Sequence, residues 1–300
     1  MTKILVLGAS GMLGASLLDF FVDKPGIEAI GTVRSSDTAA LLPAKLRQFL
    51  RIGIDVDHIE ALIALLAHER PDVVINCIGI IKQRSEAKQE LPSIRINALF
   101  PHLLAQYCDW FGARMLQIST DCVFSGSQSA AQVAEHGRYT EDSPTDAQDL
   151  YGRSKHMGEV HNQSHVLTLR TSIIGHELNS KRSLVDWFLS ETGEVRGFTK
   201  AIFSGLPAVE LARVILEYVV PDVSLTGLYH VAAEPVDKHR LLSLIAETYG
   251  HSIQIVPDSD LVIDRGLNGT RFMEATGYTP PDWVELIHRM HAYRHTAGQR

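Results

Sequence analysis

The feature that most restricts what this chain can fold into is a glycine-rich turn near its start, set between an apolar strand and a helix. Ile4-Leu5-Val6-Leu7 reads as a strand, and Gly8-Ala9-Ser10-Gly11-Met12-Leu13-Gly14 follows it directly and opens a helical pattern. A tight turn needs a residue that tolerates positive φ, and close approach of a pyrophosphate leaves no space for a Cβ. The free N–H groups at the helix start then receive the phosphate charge. Spaced glycines also occur in plain strand-to-helix turns. Their place between strand and helix is what turns them into a dinucleotide site.

The rest of the chain agrees with that opening. Short β-branched runs at Lys3–Leu7, Ile27–Val33, Phe49–Ile54, Val73–Ile78, Arg114–Ser119, Val166–Thr171 and Leu228–Val231 read as strands. Between them, Gly14–Phe21, Ile59–His68, Ile94–Phe111 and Tyr151–His161 read as amphipathic helices, and Val209–Val220 and Lys238–Tyr249 follow later. Such alternation predicts an α/β chain, a doubly wound parallel (Rossmann) sheet. After Thr171 the pattern loosens, which predicts a smaller, mainly C-terminal substrate-binding lobe built from separated segments. The expected division is 1–175 with about 201–233 for the cofactor domain, and about 176–200 with 234–300 for the lobe. Ser125–Asp149 is the longest irregular region, and segments of that length are usually functional or mobile.

Composition narrows the chemistry. A formal net charge of −7 argues against nucleic acid as a partner, which needs a basic face. The three cysteines are odd in number and lack metal-ligand spacing, favouring a reducing cytoplasm over disulfides. The start of the chain has no signal-peptide pattern, and the longest apolar stretch, around Val73 to Ile81, is too short to span a bilayer. The expectation is a soluble, cytoplasmic protein with no membrane partner. The fourteen histidines form no HExxH or other compact ligand set, so no metal is expected.

Several residues follow the strands where a dinucleotide would lie. An NAD site usually ends its second strand with Asp or Glu. Here that strand ends in Arg34-Ser35, which would pair with and donate to a 2′-phosphate, predicting NADP; the bland alternative is a solvated arginine. Asp55-Val56 follows the third strand, where Asp55 either approaches the adenine amino group or caps the next helix. Cys77-Ile78-Gly79 ends the fourth strand; Gly79 suits close passage of a cofactor, and Cys77 reads as packing. Arg182, in the basic group with Lys181, Arg196 and Lys200, has two readings, diphosphate contact or a solvated face, and so do Arg265 and Arg271. Lys82 either reaches substrate or lies on the surface.

Chemistry is suggested by Asp149-Leu150-Tyr151-Gly152-Arg153-Ser154-Lys155, downstream of Ser119-Thr120-Asp121. Tyr151 and Lys155 are four apart and share a helix face. A phenol is a poor acid near pH 7, and a nearby ammonium is expected to lower its pKa. No G-x-S-x-G elbow supports a serine hydrolase.

Together these residues resemble the extended short-chain dehydrogenase/reductases, and within them the dTDP-4-dehydrorhamnose reductase group. The resemblance is carried by Gly8–Gly14, Ile118–Phe124, Tyr139–Pro144, Tyr151–Glu159, Leu169–Ser172, Gly227–Val231 and Pro281-Asp282-Trp283, nearly the full length. It implies a Thr120, Tyr151, Lys155 triad and NADPH reduction of a keto carbon on a nucleotide-linked deoxysugar. Tyr151 would give the proton, Thr120 would bind the same oxygen, and Lys155 would hold the nicotinamide ribose. Asp121 would face the substrate, and a homodimer is compatible with the likeness. The chain departs from the superfamily's dehydratases, where Asp-Glu follows the Thr; here it is Asp121-Cys122, which disfavours elimination. The reductases usually carry Tyr where Cys122 stands. An epimerase of the same superfamily and a non-catalytic NADP-sensing regulator are the alternatives, and an intact triad speaks against the second.

Overall fold

The computed structural model describes residues 1–80, 89–178 and 182–299. In chain order its strands are β1 (Thr2–Leu7), β2 (Ile27–Val33), β3 (Leu50–Ile52), β4 (Val73–Asn76), β5 (Arg114–Thr120), β6 (Val166–Thr171) and β7 (Ile173–Ile174). They continue with β8 (Glu194–Phe198), β9 (Ala201–Phe203), β10 (Leu206–Pro207), β11 (Gly227–His230), β12 (Val236–Asp237), β13 (Gln254–Asp258) and β14 (Ile263–Asp264). Seven of them form one parallel sheet in the order β11-β6-β5-β4-β1-β2-β3. The expected doubly wound fold is therefore present. Strand order reverses between β1 and β4, and in such sheets ligands bind beyond the carboxyl ends of the strands at that reversal.

The sheet is buried on both faces, and β1 shows why. Ile4 and Val6 pack into one apolar cluster with Leu13, Leu17 and Leu18, whereas Leu5 and Leu7 pack into another with Leu62, Leu66 and Leu104. Successive side chains point to opposite faces, so a strand covered on both sides reads as a continuous apolar run. Each such leucine or isoleucine contributes about 1.5–3 kcal/mol by burial.

Three smaller sheets complete the chain: β12-β9-β14, β13-β8 and β10-β7. Ala201–Phe203 thus pairs with strands from residues 236–237 and 263–264 rather than with the large sheet. Helix Lys238–Tyr249 has the expected limits, because the Asp237 carboxylate caps its start and Gly250 ends it in the left-handed region. Among the described residues no helix is long and apolar enough to cross a membrane.

Candidate active site

The turn after β1 is shaped to admit a ligand backbone. Gly8 has φ +79°, and a Cβ on it would stand 3.3 Å from the backbone of Cys77 and Ile78 at the end of β4. A Cβ on Gly14 would lie 2.2 Å from the Gly8 carbonyl oxygen, so only glycine lets the helix start this close to the turn. Gly11 is the N-cap of helix Met12–Phe21 and provides no side-chain acceptor to the first turn. The N–H groups of that turn thus lack a side-chain partner, which suits a pyrophosphate. Ser10 and Met12 are half-buried around it; Leu13 is buried in the core and offers only its backbone.

At the end of β2, Arg34 is exposed and makes no ion pair among the described residues. Ser35 is the N-cap of the short helix Ser36–Ala40; its hydroxyl accepts the Thr38 N–H and lies 2.9 Å from the Thr38 hydroxyl. Past β3, Asp55 is not the cap of the next helix, whose N-cap is His58. Its carboxylate instead accepts the Asp57 N–H at 3.0 Å in a local turn. Val56 packs partly against the core. Beyond β4, Cys77 and Ile78 also lean on the core, burial pushes the Cys77 thiol up to about 12, and Gly79 is exposed close to the Lys155 ammonium. Cys77 therefore packs against the core as an un-ionised thiol.

The proposed triad gathers beyond β5. Thr120 ends that strand, caps the turn Asp121–Val123 by accepting the Cys122 N–H at 3.1 Å, and donates to the Asp121 carboxylate. Helix Leu150–Met157 starts on that turn: Asp149 caps it at Gly152 N–H, 2.7 Å, and a Cβ on Gly152 would lie 2.2 Å from the Cys122 carbonyl. Gly152 therefore sets how near Tyr151 comes to Thr120. The Lys155 ammonium donates to the Ile118 carbonyl at 2.7 Å and is buried. Burial pulls its pKa down to about 8, against the opposing charges of Glu159 and Cys77.

One expectation is corrected here. The Tyr151 phenol is raised from its ordinary value, because burial and the neighbouring Cys122 outweigh its hydrogen bond with Thr120. The Lys155 ammonium donates to the Ile118 carbonyl, and the net shift of the phenol is upward where the spacing alone suggested a fall. Asp121 is buried, and burial raises its carboxyl against the pull of Arg265. Cys122 is likewise driven up to about 12, so it is a thiol and not a thiolate.

Two residues that hold the elements around the site together escaped the sequence reading. Asn97 lies in a π-helical stretch, Ile94–Leu99, leading into helix Phe100–Phe111. Its amide accepts the Ile80 N–H at 2.8 Å and donates to the Ile80 carbonyl and the Ser154 hydroxyl, tying the end of β4 to the Tyr151 helix. Pro101 was the available signal: it has no N–H for the Asn97 carbonyl, and interrupted ladders of this kind mark functional sites. Glu159 is the second. Its carboxylate receives Arg170 at 2.7 Å on both oxygens, Ser119 at 2.6 Å and His156 at 3.1 Å. Burial would raise it, but Arg170, His156 and Ser119 hold it down at about 2.

The outlying basic residues divide. Arg265 donates from Nε to the Phe124 carbonyl at 2.8 Å and faces Asp121, at the site. Arg271 is paired with Asp142 and Glu141, and Arg196 with Asp258 and Asp260, so these two hold structure. Arg182 is exposed before helix Leu184–Ser190, with its backbone N–H on Glu177. Lys82 and Lys181 lie outside the described residues.

Comparison with known proteins agrees with this geometry. The chain is 32% identical over 157 residues to a dTDP-4-dehydrorhamnose reductase of Streptomyces griseus, a match covering 52% of this chain and 43% of that protein. A reductase of the same name from Aggregatibacter actinomycetemcomitans is 22% identical, over 98% of this chain and 99% of its own. The crystal structure of dTDP-4-dehydrorhamnose reductase from Bacillus anthracis in complex with NADP superposes with a TM-score of 0.75 at 21% identity, covering 98% of this chain and 100% of that one. Residues 1–260 match the family model described as the RmlD substrate binding domain, and the chain belongs to that family of extended short-chain dehydrogenase/reductases.

Proposed function

We propose that the protein is an NADPH-dependent reductase of a keto group on the sugar of a nucleotide sugar, a 4-keto-6-deoxysugar in the first instance. The observation that carries this reading is the meeting of Thr120, Tyr151 and Lys155 at the end of β5, beside the turn that fits a dinucleotide. The nicotinamide, when bound, supplies the hydride. Tyr151 Oη, kept protonated by its raised pKa, gives its proton to the developing alkoxide. Thr120, whose hydroxyl donates to the Asp121 carboxylate in the structure, turns that donor to the same oxygen when substrate is bound. Lys155 Nζ, fixed by the Ile118 carbonyl, keeps further N–H donors for ribose hydroxyls and stabilises the phenolate left on Tyr151.

Arg34 and Ser35 would meet the 2′-phosphate, and Asp55 and Val56 would border the adenine. Asp121, Arg265 and Arg182 are assigned to substrate. The free thiols of Cys77, Cys108 and Cys122 support a reducing, cytoplasmic setting as part of this reading, and a homodimer belongs to it by family likeness alone.

The test is NADPH oxidation followed by absorbance with a panel of nucleotide-linked 4-keto-6-deoxysugars. Stoichiometric loss of NADPH with one of them supports the reading. Conversion of a nucleotide sugar with no net loss overturns it in favour of an epimerase, because the hydride then returns.

A further inference from the structure

For Thr120 to turn its hydroxyl towards a substrate oxygen, Asp121 must release it. Thr120 Oγ1 accepts the Cys122 N–H at 3.1 Å and lies 3.1 Å from Asp121 Oδ1. A hydroxyl has one hydrogen and two lone pairs, and an ionised carboxylate can only accept. Beside an ionised Asp121 the Thr120 hydrogen therefore goes to the carboxylate, and no donor remains for the substrate. Beside a protonated Asp121 the same contact reverses. The carboxyl O–H donates to Thr120 Oγ1 and fills its second lone pair, which frees the Thr120 hydrogen. The heavy atoms need not move between the two arrangements.

Asp121 is placed to hold such a proton. The buried carboxyl groups among the described residues are Glu69, Asp121, Glu141, Glu159 and Glu210. Glu69 is paired with Lys3 and Arg51, Glu141 with Arg271, Glu159 with Arg170, and Glu210 with Arg213 and Arg289. Asp121 alone has no ion pair among the described residues. The groups that face it are Cys122 in its own turn, Tyr151 on helix Leu150–Met157, Arg265 just past β14 and Lys238 at the start of helix Lys238–Tyr249. Cys122 and Tyr151 are neutral, their protons held by burial. The two cations favour an ionised Asp121, as do Thr120, Cys122 and Ser172. Burial opposes them and prevails, so the carboxyl holds its proton more tightly than an ordinary aspartate.

We propose that Asp121 is a positioning residue for the reduction: its protonated carboxyl donates to Thr120 Oγ1 and turns the Thr120 hydrogen towards the substrate oxygen. The active site then carries one proton on Asp121, one on Tyr151 and a charged Lys155. Asp121 keeps its proton throughout, since the hydride comes from NADPH and the proton from Tyr151. The proposal rests on the reductase reading for what Thr120 holds, whereas the coupling of Asp121 to Thr120 is tested without turnover.

The coupling is read by carbon-13 NMR of protein labelled at the aspartate carboxyls, with Asp121→Asn assigning the signal. Thr120→Val keeps the shape of the side chain and deletes its hydroxyl. Asp121 should then hold its proton about fivefold more tightly or more, because the lost bond to a carboxylate is stronger than the lost bond from a neutral carboxyl. An unchanged titration overturns the proposal.

The consequence for catalysis is read as single-turnover rate against pH, with NADPH and keto sugar nucleotide saturating. In wild type the rate should fall as pH rises through the Asp121 titration, by up to about tenfold per pH unit. A second fall, set by Lys155, follows above about pH 8. Asp121→Asn should lose the first fall and keep the second, since an amide does not titrate and its Nδ2–H donates to Thr120 Oγ1 at every pH. Thr120→Val should also lose the first fall, at a lower rate throughout. A wild-type profile without the first fall, or a fall of wild-type size in either variant, overturns the proposal. In Thr120→Val such a fall would mean that Asp121 acts by its charge and not through the hydroxyl. Should no nucleotide sugar be reduced, the reductase reading fails and the NMR titration alone decides the coupling.

Discussion

The two walls of the cleft use charge in opposite ways. On the wall made by β5 and helix Leu150–Met157, Glu159 is closed off by Arg170, Ser119 and His156, with side-chain exposures of 1% for Glu159 and 3% for Arg170. The chain of contacts continues inward. His230 Nδ1–H donates to the Tyr139 carbonyl, leaving Nε2 to accept from Arg170 at 3.4 Å. On the other wall, Arg265 spends Nε on the Phe124 carbonyl and faces Asp121. A buried charge that is fully paired holds elements in register, whereas a guanidinium with N–H groups to spare can donate to a ligand. Mutations on the first wall should therefore register chiefly as stability and rate, and those on the second as affinity.

The largest expected effect belongs to the reacting phenol. Tyr151→Phe keeps the ring and deletes the acid, so turnover should fall by about 10²–10⁴-fold with NADPH affinity unchanged. Fluorescence titration beside steady-state kinetics checks both halves. Wild-type turnover in the variant would remove Tyr151 from the mechanism.

Next comes the closed wall. Glu159→Leu strands the Arg170 charge in the interior, and removing one partner of a buried pair costs about 3–5 kcal/mol. Urea unfolding should show it; a loss under 1 kcal/mol, the scale of an exposed pair, would mean the network is not what holds the wall.

Titration sharpens the same contrast. The Glu159 carboxyl sits at about 2 when folded, against 4.5 for the ordinary group. Its stabilisation is thus fully present above pH 4.5 and is lost as pH falls through about 2. Lys155 runs the other way: its folded pKa of about 8 lies below the ordinary 10.5. Holding it charged opposes folding below pH 8, and that penalty is relieved as pH rises towards 10.5. Activity that needs the ammonium should meanwhile fall above about pH 8. A rate profile flat to pH 10 would show that Lys155 does not act as a cation.

The smallest of these effects concerns the distant end of the cofactor. Wild type is expected to prefer NADPH over NADH by about tenfold, and Arg34→Asp to abolish or reverse that preference. Equal affinities in wild type would make Arg34 a solvated side chain.

How much of this was legible in the sequence follows from how local each cause is. Strand β1 was readable because both its faces are buried, which writes the unbroken apolar run Ile4–Leu7 into the chain. Helix Lys238–Tyr249 was readable because Asp237 and Gly250 mark its ends. The Gly8–Gly14 turn and the Tyr151–Lys155 spacing were equally plain, being local signals. What could not be read depends on partners far away in sequence. The raised Tyr151 phenol comes from burial and from the neighbouring Cys122, and the spacing to Lys155 says nothing about that. The position of Arg265 beside the loop after Phe124 depends on Ile263 pairing with Ala201, a register no local pattern specifies. Asp55 fell into a turn with Asp57 where either a cap or a cofactor contact read equally well.

The most direct test of the central claim is product analysis after reaction with NADPH deuterated at the transferable position and a nucleotide-linked 4-keto-6-deoxysugar. Reduction at the site of Thr120, Tyr151 and Lys155 predicts deuterium on the sugar C4, seen by NMR, with an equal loss of nicotinamide absorbance. A sugar isomerised without deuterium uptake or net NADPH loss would contradict it.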